Sequence, residues 1–288
     1  MGGTVLVTGA AGQLGTFIVQ TFADREVVGT TRATLDITDA ASVQRVLSHT
    51  QPTLIVNCAA FNDVDGAEDA AIDALAVNSF GVRNLSRAAE ACGATLVHYS
   101  SDFVFDGTAS RPYHERDTAA PRSTYAASKL LGEWFALDVP NAFVLRVESL
   151  FGCPPTWTGR RGTLDTLVEG LRTGRELRVF TDRTVSPSYL PDVAVATRHL
   201  VESGAAPGLY HCVNSGEATW ADVVQEAAAV LGVTPDLQRI TSDQVRMKAA
   251  RPRYCALSND KLASTGLHMP TWQDALRRWL STDRQSAA

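Results

Sequence analysis

Residues 5–15 read Val-Leu-Val-Thr-Gly-Ala-Ala-Gly-Gln-Leu-Gly, a short apolar run followed by three glycines at three-residue intervals. Glycines in such a turn let backbone N–H groups and the N-terminus of the next helix reach a pyrophosphate. Because the turn stands at the start of the chain and a second strand follows it, we predict a dinucleotide-binding unit. The predicted cofactor residues of this turn are Gly9, Gly12, Gln13, Leu14 and Gly15.

Short apolar runs alternate with longer amphipathic stretches through the first half of the chain. The predicted strands lie at 5–7, 27–30, 54–56, 96–99 and 143–147. The predicted helices lie at 13–23, 40–49, 69–92 and 125–137. This alternation implies right-handed crossovers and a doubly wound parallel sheet, an α/β fold of the Rossmann type. Ligands of such a sheet bind beyond the carboxyl ends of its strands.

The composition excludes several classes of protein. The chain has 288 residues, of which 45% are hydrophobic, and a net charge of −5, so neither nucleic acid nor a membrane surface is an expected partner. The first apolar run is too short for a signal peptide, and we expect a cytoplasmic enzyme. Five scattered cysteines form no CxxC or Cys/His cluster, which predicts neither a disulfide framework nor a metal site.

Further cofactor residues are predicted after the second and third strands. Arg32 stands where an acidic residue would bind a ribose 2′-hydroxyl, and a guanidinium there suits the 2′-phosphate of NADP. We therefore predict NADPH, with NADH as a second possibility; a solvated surface arginine is the alternative interpretation. Asp36 and Ile37 are expected near the adenine. The third strand ends in small residues that would let the backbone approach the dinucleotide, namely Cys58, Ala59 and Ala60.

Asn78 is also a cofactor-site candidate, although it lies inside the predicted helix 69–92. An asparagine there is unfavourable unless its side chain serves the backbone or a buried water. Two roles remain open at this point, which are support of a water chain to Lys129 and bending of the helix.

The second half of the chain has a looser pattern. Residues 153–162 are a predicted turn-rich loop. Helices are predicted at 164–173, 191–202, 220–231 and 272–280, and strands at 177–180 and 209–211. We predict an NADP-binding Rossmann domain at 1–149, which also takes up part of 177–212, and a smaller substrate-binding lobe at 150–288.

Tyr125 and Lys129 stand four residues apart at the start of a predicted helix, which places a phenol and an ammonium on one face. Ser101 follows the fourth predicted strand, so that its hydroxyl can face them across a cleft. A nearby cation favours the phenolate, and we expect Lys129 to lower the pKa of Tyr125 from about 10 and make it a usable proton donor. Together these groups are the set that reduces a carbonyl with a nicotinamide hydride.

Six segments, at 8–15, 35–39, 57–68, 100–107, 125–130 and 186–192, resemble the extended short-chain dehydrogenases/reductases and, among them, the dTDP-4-dehydrorhamnose reductase family. The most specific pieces are Phe105-Asp106-Gly107 and Ser186-Pro187-Ser188-Tyr189. The resemblance implies that Ser101 is the catalytic hydroxyl, Tyr125 the proton donor and Lys129 the ligand of the nicotinamide ribose. It also implies NADPH-dependent reduction of the C4 ketone of an NDP-4-keto-6-deoxyhexose, expected to be dTDP-linked, in deoxysugar biosynthesis.

The chain departs from the family at positions that the family uses for substrate. Tyrosine is common where this chain has Phe103, threonine where it has Asn62, and a Ser-Trp pair where it has Glu148-Ser149. Trp157 either supplies a replacement aromatic surface for the sugar or only packs. The candidate substrate residues are Asn62, Asp102, Phe103, Ser149, Trp157 and Arg251.

The nucleotide diphosphate requires cations in the second lobe, because guanidinium matches phosphate oxygens. The candidates are Arg160, Arg161, Arg251 and Arg253. Arg251 is preferred, since the proline after it holds that segment extended. Surface solvation is the alternative for each.

Other activities of the superfamily are weighed against this interpretation. Related dehydratases carry a glutamate base where this chain has Phe103, which argues against elimination of water. A sugar-nucleotide epimerase uses the same three residues and stays open. A non-catalytic NADP-binding protein, similar to the regulatory subunit of methionine adenosyltransferase, also stays open. A monomer or a homodimer is expected.

Overall fold

A computed structural model of the chain describes residues 2–153 and 157–286. Its strands are β1 (Val5–Thr8), β2 (Val27–Gly29), β3 (Leu54–Asn57), β4 (Thr95–Ser101), β5 (Ala142–Val147), β6 (Leu150–Phe151), β7 (Leu177–Phe180), β8 (Thr184–Val185), β9 (Ser188–Tyr189), β10 (Gly208–His211), β11 (Ala218–Thr219) and β12 (Leu237–Ile240). Six of them form one sheet in the order β10-β5-β4-β3-β1-β2, and every neighbouring pair is parallel. The predicted parallel α/β sheet is confirmed.

Helices connect these strands. They are α1 (Gln13–Thr21), α2 (Ala40–Thr50), α3 (Gly66–Asp69), α4 (Ala71–Leu75), α5 (Val82–Cys92), α6 (Thr124–Leu137), α7 (Thr163–Thr173), α8 (Leu190–Glu202), α9 (Trp220–Leu231), α10 (Asp260–Ala263) and α11 (Trp272–Ser286). In the described part of the chain, none of the helices has the length and apolar character needed to cross a membrane.

The sheet is buried on both faces because side chains along a strand point alternately to its two sides. Val5 and Val7 belong to one apolar cluster, which includes Ile18 of α1 and Leu200 of α8. Leu6 belongs to a second cluster on the opposite face, with Val43 of α2, Leu85 of α5 and Ala136 of α6. This two-sided burial explains why the central strands read as continuous apolar runs.

The helix predicted at 69–92 is interrupted. After α4 the chain forms a π-helical segment, Ala76–Gly81, before α5 begins, and a break at Ala70 separates α3 from α4. The π-helical segment lies against Gly132 of α6, where an added Cβ would stand 2.1 Å from the Asn78 carbonyl oxygen. The single-helix prediction was therefore wrong, and the irregularity falls where two helices touch backbone to backbone.

The later part of the chain builds a second layer. A cluster from α7, α9 and α11 includes Leu164, Val224 and Leu276, and it also takes up β7. Strand β10 returns to the edge of the main sheet beside β5, and the short pair β6 and β9 follows the end of β5. The division at residues 149 and 150 stays a prediction. Of the predicted loop at 153–162, residues 154–156 lie outside the described part of the chain.

A buried ion pair holds α6 against the sheet. Glu133 of α6 accepts two hydrogen bonds from Arg146 of β5, at 2.8 Å from Nε and 2.7 Å from Nη2. Both side chains are less than 5% exposed. The guanidinium also lies over the ring of Phe105, 4.8 Å from its centroid. Since two charges are removed from water here, each depends on the other for compensation.

We expect Glu133→Gln to lower the free energy of unfolding by about 3–5 kcal/mol, because it leaves the Arg146 charge buried without its counter-ion. Urea denaturation at neutral pH measures this change. Glu226→Gln is the matched control, since Glu226 pairs with Arg277 at the surface and exposed pairs contribute at most about 1 kcal/mol. Equal losses in the two variants would contradict the anchoring role of the buried pair.

Candidate active site

A cavity of about 800 Å³ opens at the carboxyl ends of β1, β3 and β4 and extends to the second layer. It is lined by many of the residues predicted from the sequence, namely Gly12, Gln13, Leu14, Gly15, Cys58, Ala59, Ala60, Asn62, Ser101, Asp102, Phe103, Tyr125, Lys129, Ser149, Trp157 and Arg251. Gly9, Arg32, Asp36, Ile37 and Asn78 are not among its lining residues. The structure thus brings the predicted catalytic and glycine-turn residues to one place.

The glycine turn between β1 and α1 forms one end of this cavity. Gly9 has φ +62°, and a Cβ there would lie 2.8 Å from the backbone nitrogen of Ala59. At Gly15 a Cβ would lie 2.2 Å from the Gly9 carbonyl oxygen. Gly12 is the N-cap of α1 and provides no side-chain acceptor for the first N–H groups of that helix. Such free N–H groups at a helix N-terminus suit a phosphate.

Asn78 holds the loop after β3. Its Oδ1 accepts a hydrogen bond from the Phe61 backbone nitrogen at 2.8 Å, and its Nδ2 donates to the Phe61 carbonyl at 3.0 Å. Nδ2 also donates to Ser128 Oγ at 3.0 Å. The side-chain amide is thus hydrogen-bonded to protein groups, and its support of a water chain to Lys129 stays a prediction. The alternative, a distorted helix, corresponds to the π-helical segment.

The residues after β2 lie outside the cavity. Arg32 is largely exposed, with its Nε 3.6 Å from Asp36 Oδ2. Thr38 donates two hydrogen bonds to Asp36, from its hydroxyl and its backbone N–H, and these bonds lower the pKa of Asp36. The Asp36 carboxylate is therefore hydrogen-bonded within its own turn. Ile37 is buried in the core against Gly81. The expectation that Asp36 and Ile37 lie near the adenine stays a prediction.

The three predicted catalytic residues come from two elements. Ser101 ends β4, and Tyr125 and Lys129 occupy successive turns of α6, whose N-terminus is capped by Ser123. All three are buried. The Ser101 hydroxyl donates to Asp102 Oδ1 at 2.8 Å and accepts from the Phe103 backbone nitrogen at 3.2 Å, and it lies near enough to the Tyr125 phenol to oppose the rise in the pKa of that phenol. Lys129 Nζ donates to the Tyr99 carbonyl at 2.5 Å, which fixes the ammonium against β4.

Burial controls the protonation of this group. It raises the pKa of Tyr125, with the Asp102 charge acting in the same direction and the nearby Ser101 hydroxyl opposing it. Burial lowers the pKa of Lys129 to about 8, against the opposing charge of Glu133. The expectation that Lys129 lowers the Tyr125 pKa was wrong, because the ammonium is held by a backbone carbonyl. The phenol consequently keeps its proton at neutral pH.

The predicted sugar-facing residues surround Tyr125. The Phe103 ring meets the Tyr125 ring edge to face, with centroids 6.1 Å apart. Ser149 adopts φ +45° between β5 and β6, an uncommon conformation for a residue other than glycine. Trp157 lines the cavity, and its Nε1 donates to the Arg160 carbonyl at 3.2 Å. Trp157 also packs against the core cluster around α1 and α8, so both of its predicted roles agree with its position.

The preferred diphosphate ligand is already paired. Arg251 donates to both carboxylate oxygens of Asp65, at 2.9 and 2.7 Å, and this pairing lowers the pKa of Asp65 to about 2. Arg253 pairs with Asp243 and does not line the cavity. Arg251 lines the cavity while paired with Asp65, and its predicted substrate role stays a prediction; Arg253 pairs with a carboxylate ten residues away and lies outside the cavity. Arg160 and Arg161 do line the cavity, each within 4 Å of a carboxylate.

Two other arginines line the cavity and were missed. Arg178 of β7 and Arg183, in the turn before β8, reach the second-layer wall. Within the described residues, neither has a carboxylate within 4 Å. The only sequence signal was the position of Arg178 between Leu177 and Val179, which are buried neighbours on a strand. Asn57, Val64, Asp65 and Ser100 also line the cavity and stand inside the motif segments 57–68 and 100–107, although no site role was predicted for them. The other missed lining residues are Tyr99, Val147, Leu150, Gly162, Thr163, Leu167, Val179, Phe180, Val185, Trp220, Val245 and Met247.

A family model described as RmlD substrate binding domain matches residues 3–285. The chain belongs to this family. The family predicted from the sequence motifs is therefore confirmed, and the match extends through both layers of the structure.

Relatives of known name agree with this membership. A dTDP-4-dehydrorhamnose reductase of Mycobacterium tuberculosis is 35% identical over 298 residues, which cover 99% of this chain and 94% of the relative. A dTDP-4-keto-6-deoxy-D-glucose reductase of Streptomyces niveus is 36% identical over 269 residues, 91% of each chain. The crystal structure of a dTDP-4-dehydrorhamnose reductase from Bacillus anthracis in complex with NADP superposes with a TM-score of 0.91 at 30% identity, covering 98% of this chain and 100% of the other.

The lowered pKa of Lys129 has a consequence for stability. An unfolded lysine keeps its proton to about pH 10.4, whereas folded Lys129 loses it near pH 8. The unfolded state therefore binds more protons between these values, so this residue makes the free energy of unfolding rise with pH there. We expect Lys129→Met to remove this rise, so that the variant's stability relative to wild type falls by up to about 3 kcal/mol from pH 7.5 to 10.

Urea denaturation across this pH range measures the difference. Lys248→Met is the control, because Lys248 is partly exposed and pairs with Asp69 at the surface. If the difference in the free energy of unfolding between Lys129→Met and wild type does not change with pH, burial does not lower the pKa of Lys129.

Proposed function

We propose that this protein reduces the C4 ketone of a dTDP-linked 4-keto-6-deoxyhexose with NADPH, in deoxysugar biosynthesis. The observation that carries the proposal is the buried set Ser101, Tyr125 and Lys129 in one cavity that joins the glycine turn to an arginine-bearing wall. The relatives named as reductases of dTDP-4-dehydrorhamnose and dTDP-4-keto-6-deoxy-D-glucose support the substrate class.

The residues present fit a dinucleotide. The turn around Gly12 offers uncapped N–H groups to the pyrophosphate, and Cys58, Ala59 and Ala60 present small side chains at the end of β3. Arg32, exposed beyond β2, is the group for a 2′-phosphate, which favours NADPH over NADH. When bound, the reduced nicotinamide would supply the hydride. Lys129 would hold the nicotinamide ribose from α6.

The chain's own residues handle the proton. Tyr125 is protonated at neutral pH because burial raises its pKa, so it can donate a proton to the ketone oxygen. Ser101 gives that oxygen a second hydrogen-bond partner as charge develops on it. Lys129, one turn beyond Tyr125 on α6, is held in place by its hydrogen bond to the Tyr99 carbonyl. Burial of all three keeps competing water away from the reacting oxygen.

The second layer supplies the substrate contacts. Arg178 binds the diphosphate from the second-layer wall of the cavity, and Asn62, Phe103 and Ser149 face the sugar. Phe103 lacks the carboxylate that elimination of water would need, so the ketone is reduced without dehydration. The epimerase alternative has no observation here that favours it over net reduction.

Tyr125→Phe should bind NADPH as wild type does but lose about 10²- to 10⁴-fold in kcat, because the proton donor is removed while the ring is kept. Purified protein, NADPH and dTDP-4-keto-6-deoxyhexoses are mixed and the absorbance of NADPH is followed. Tyr210→Phe is the control: its hydroxyl donates to the Ala206 carbonyl outside the cavity. NADPH binding by wild type without turnover would instead favour the regulatory alternative.

Arg178→Gln should raise the KM for the dTDP-sugar about 10- to 100-fold, because a charge-assisted hydrogen bond to a phosphate is lost. The KM for NADPH should stay unchanged, since Arg178 belongs to the opposite wall. Arg253→Gln is the matched control; this exposed arginine pairs with Asp243 and lies outside the cavity. A similar change in both variants would remove Arg178 from the diphosphate site.

A further inference from the structure

A group of buried acids lies directly behind Ser101. Ser101 Oγ donates to Asp102 Oδ1 at 2.8 Å, and Asp102 is 4% exposed. The ligand atoms of Asp102, Glu148 and Cys255 all lie within 4.8 Å of one another. Glu148, at the end of β5, is 2% exposed. Two carboxyl groups at this distance and burial cannot both be ionised without a large cost.

The surroundings of Glu148 leave one oxygen free. Its Oε2 accepts from the Ser186 backbone nitrogen at 2.7 Å, whereas its Oε1 has no hydrogen-bond partner among the described residues. An unpaired buried carboxylate oxygen is costly, but a protonated carboxyl beside a second carboxyl has an obvious partner for its O–H. The unpartnered oxygen therefore indicates a missing proton or cation between the two acids.

The charges around the pair favour a proton over a metal ion. The Arg183 guanidinium faces both acids and lowers the pKa of each, but burial outweighs it. Glu217 faces Glu148 and raises its pKa further, and Asp102 faces the Tyr125 phenol. The remaining titratable neighbours are Cys255 and Tyr254, which are kept protonated by burial. A guanidinium already present leaves little attraction for a divalent ion.

We propose that Asp102 and Glu148 share one proton and return it, through the Ser101 hydroxyl, to Tyr125 after each reduction. The inference rests on the proposed reductase activity and adds a proton-supply role to two residues behind the reacting groups. Glu148 lies within 4.8 Å of Asp102, Asp102 is hydrogen-bonded to Ser101 at 2.8 Å, and Ser101 lines the same cavity as the Tyr125 phenol.

The proposed step balances in protons. Tyr125 loses its O–H proton to the ketone oxygen as the hydride adds to carbon, and becomes a phenolate. Ser101 then gives its proton to the phenolate oxygen and takes one from the carboxyl pair. The pair, now doubly ionised beside Arg183, recovers one proton from solvent. No oxidant or reductant beyond the reduced cofactor takes part.

Glu148→Gln tests the proposal, because the amide keeps the shape but cannot release a proton. In a single turnover at pH 8 the variant should transfer hydride within about twofold of wild type, since Tyr125 begins protonated. Steady-state kcat should fall about tenfold or more, with a larger solvent isotope effect. The alkaline decline of kcat should also move to lower pH, because Asp102 alone then holds the proton. Asp102→Asn should lose steady-state turnover in the same way.

Asp165→Asn is the matched control. Asp165 is another buried carboxyl with a pKa raised by burial and one unpartnered oxygen, but it accepts from the Cys153 nitrogen and does not contact Ser101. Its pH profile should match wild type. Equal losses of Glu148→Gln in single and multiple turnovers would mean a structural role and overturn the proposal, as would no loss at all.

Two further results distinguish the possible failures. If wild type reduces no dTDP-4-keto sugar, the proposed function fails; if wild type is active and both variants keep its pH profile, only the proton-supply role fails. Infrared titration should show a carboxyl group that stays protonated above pH 6 in wild type and in Asp165→Asn and that is lost in Glu148→Gln. Absence of that band, or loss of activity on chelation of metal ions, would also overturn the shared proton.

Discussion

The ion pair between Arg146 and Glu133 is the interaction on which the site depends. Glu133 lies one turn beyond Lys129, which lies one turn beyond Tyr125, so a single helix face carries the anchor, the ammonium and the phenol. With both ends of the pair buried, α6 cannot rotate or slide without exposing an uncompensated charge to the apolar interior. The register of the reacting groups against β4 is thereby set by a residue that does not touch them.

A second constraint comes from close backbone contact. Gly132 lets α6 approach the Asn78 carbonyl, and the π-helical segment turns the Asn78 amide toward both polar groups of Phe61. The loop after β3 is thus fixed by the same helix that carries Tyr125. A π-helical insertion is costly in isolation and is commonly found where function requires it. Here it joins the end of β3, which forms the cofactor side of the cavity, to the catalytic helix.

Local patterns predicted most of the framework. The glycine turn, the strand runs and the Tyr125-Lys129 spacing each depend on neighbours within a few residues, and the structure places them as expected, while the family is confirmed by the comparisons. What local patterns did not show involves partners distant in sequence. Arg251 pairs with Asp65, the pKa of Tyr125 is set by burial rather than by Lys129, and Arg178 belongs to a strand, β7, that pairs with β12. No window of sequence contains that information.

Several buried ionisable groups, which would destabilise an apolar core, lie in or beside the cavity. A lysine with a lowered pKa and acids with raised pKa values, Asp102 and Glu148, lie within one region, and each is held there by the surrounding apolar framework. Burial opposes charge on all of them, which keeps the phenol protonated and confines mobile protons to a short path. Phe103 places an apolar ring, which cannot act as a base, edge to face against the Tyr125 ring. Tyr125 can donate a proton, but Phe103 cannot abstract one. The site is therefore suited to reduction of a ketone rather than to elimination of water.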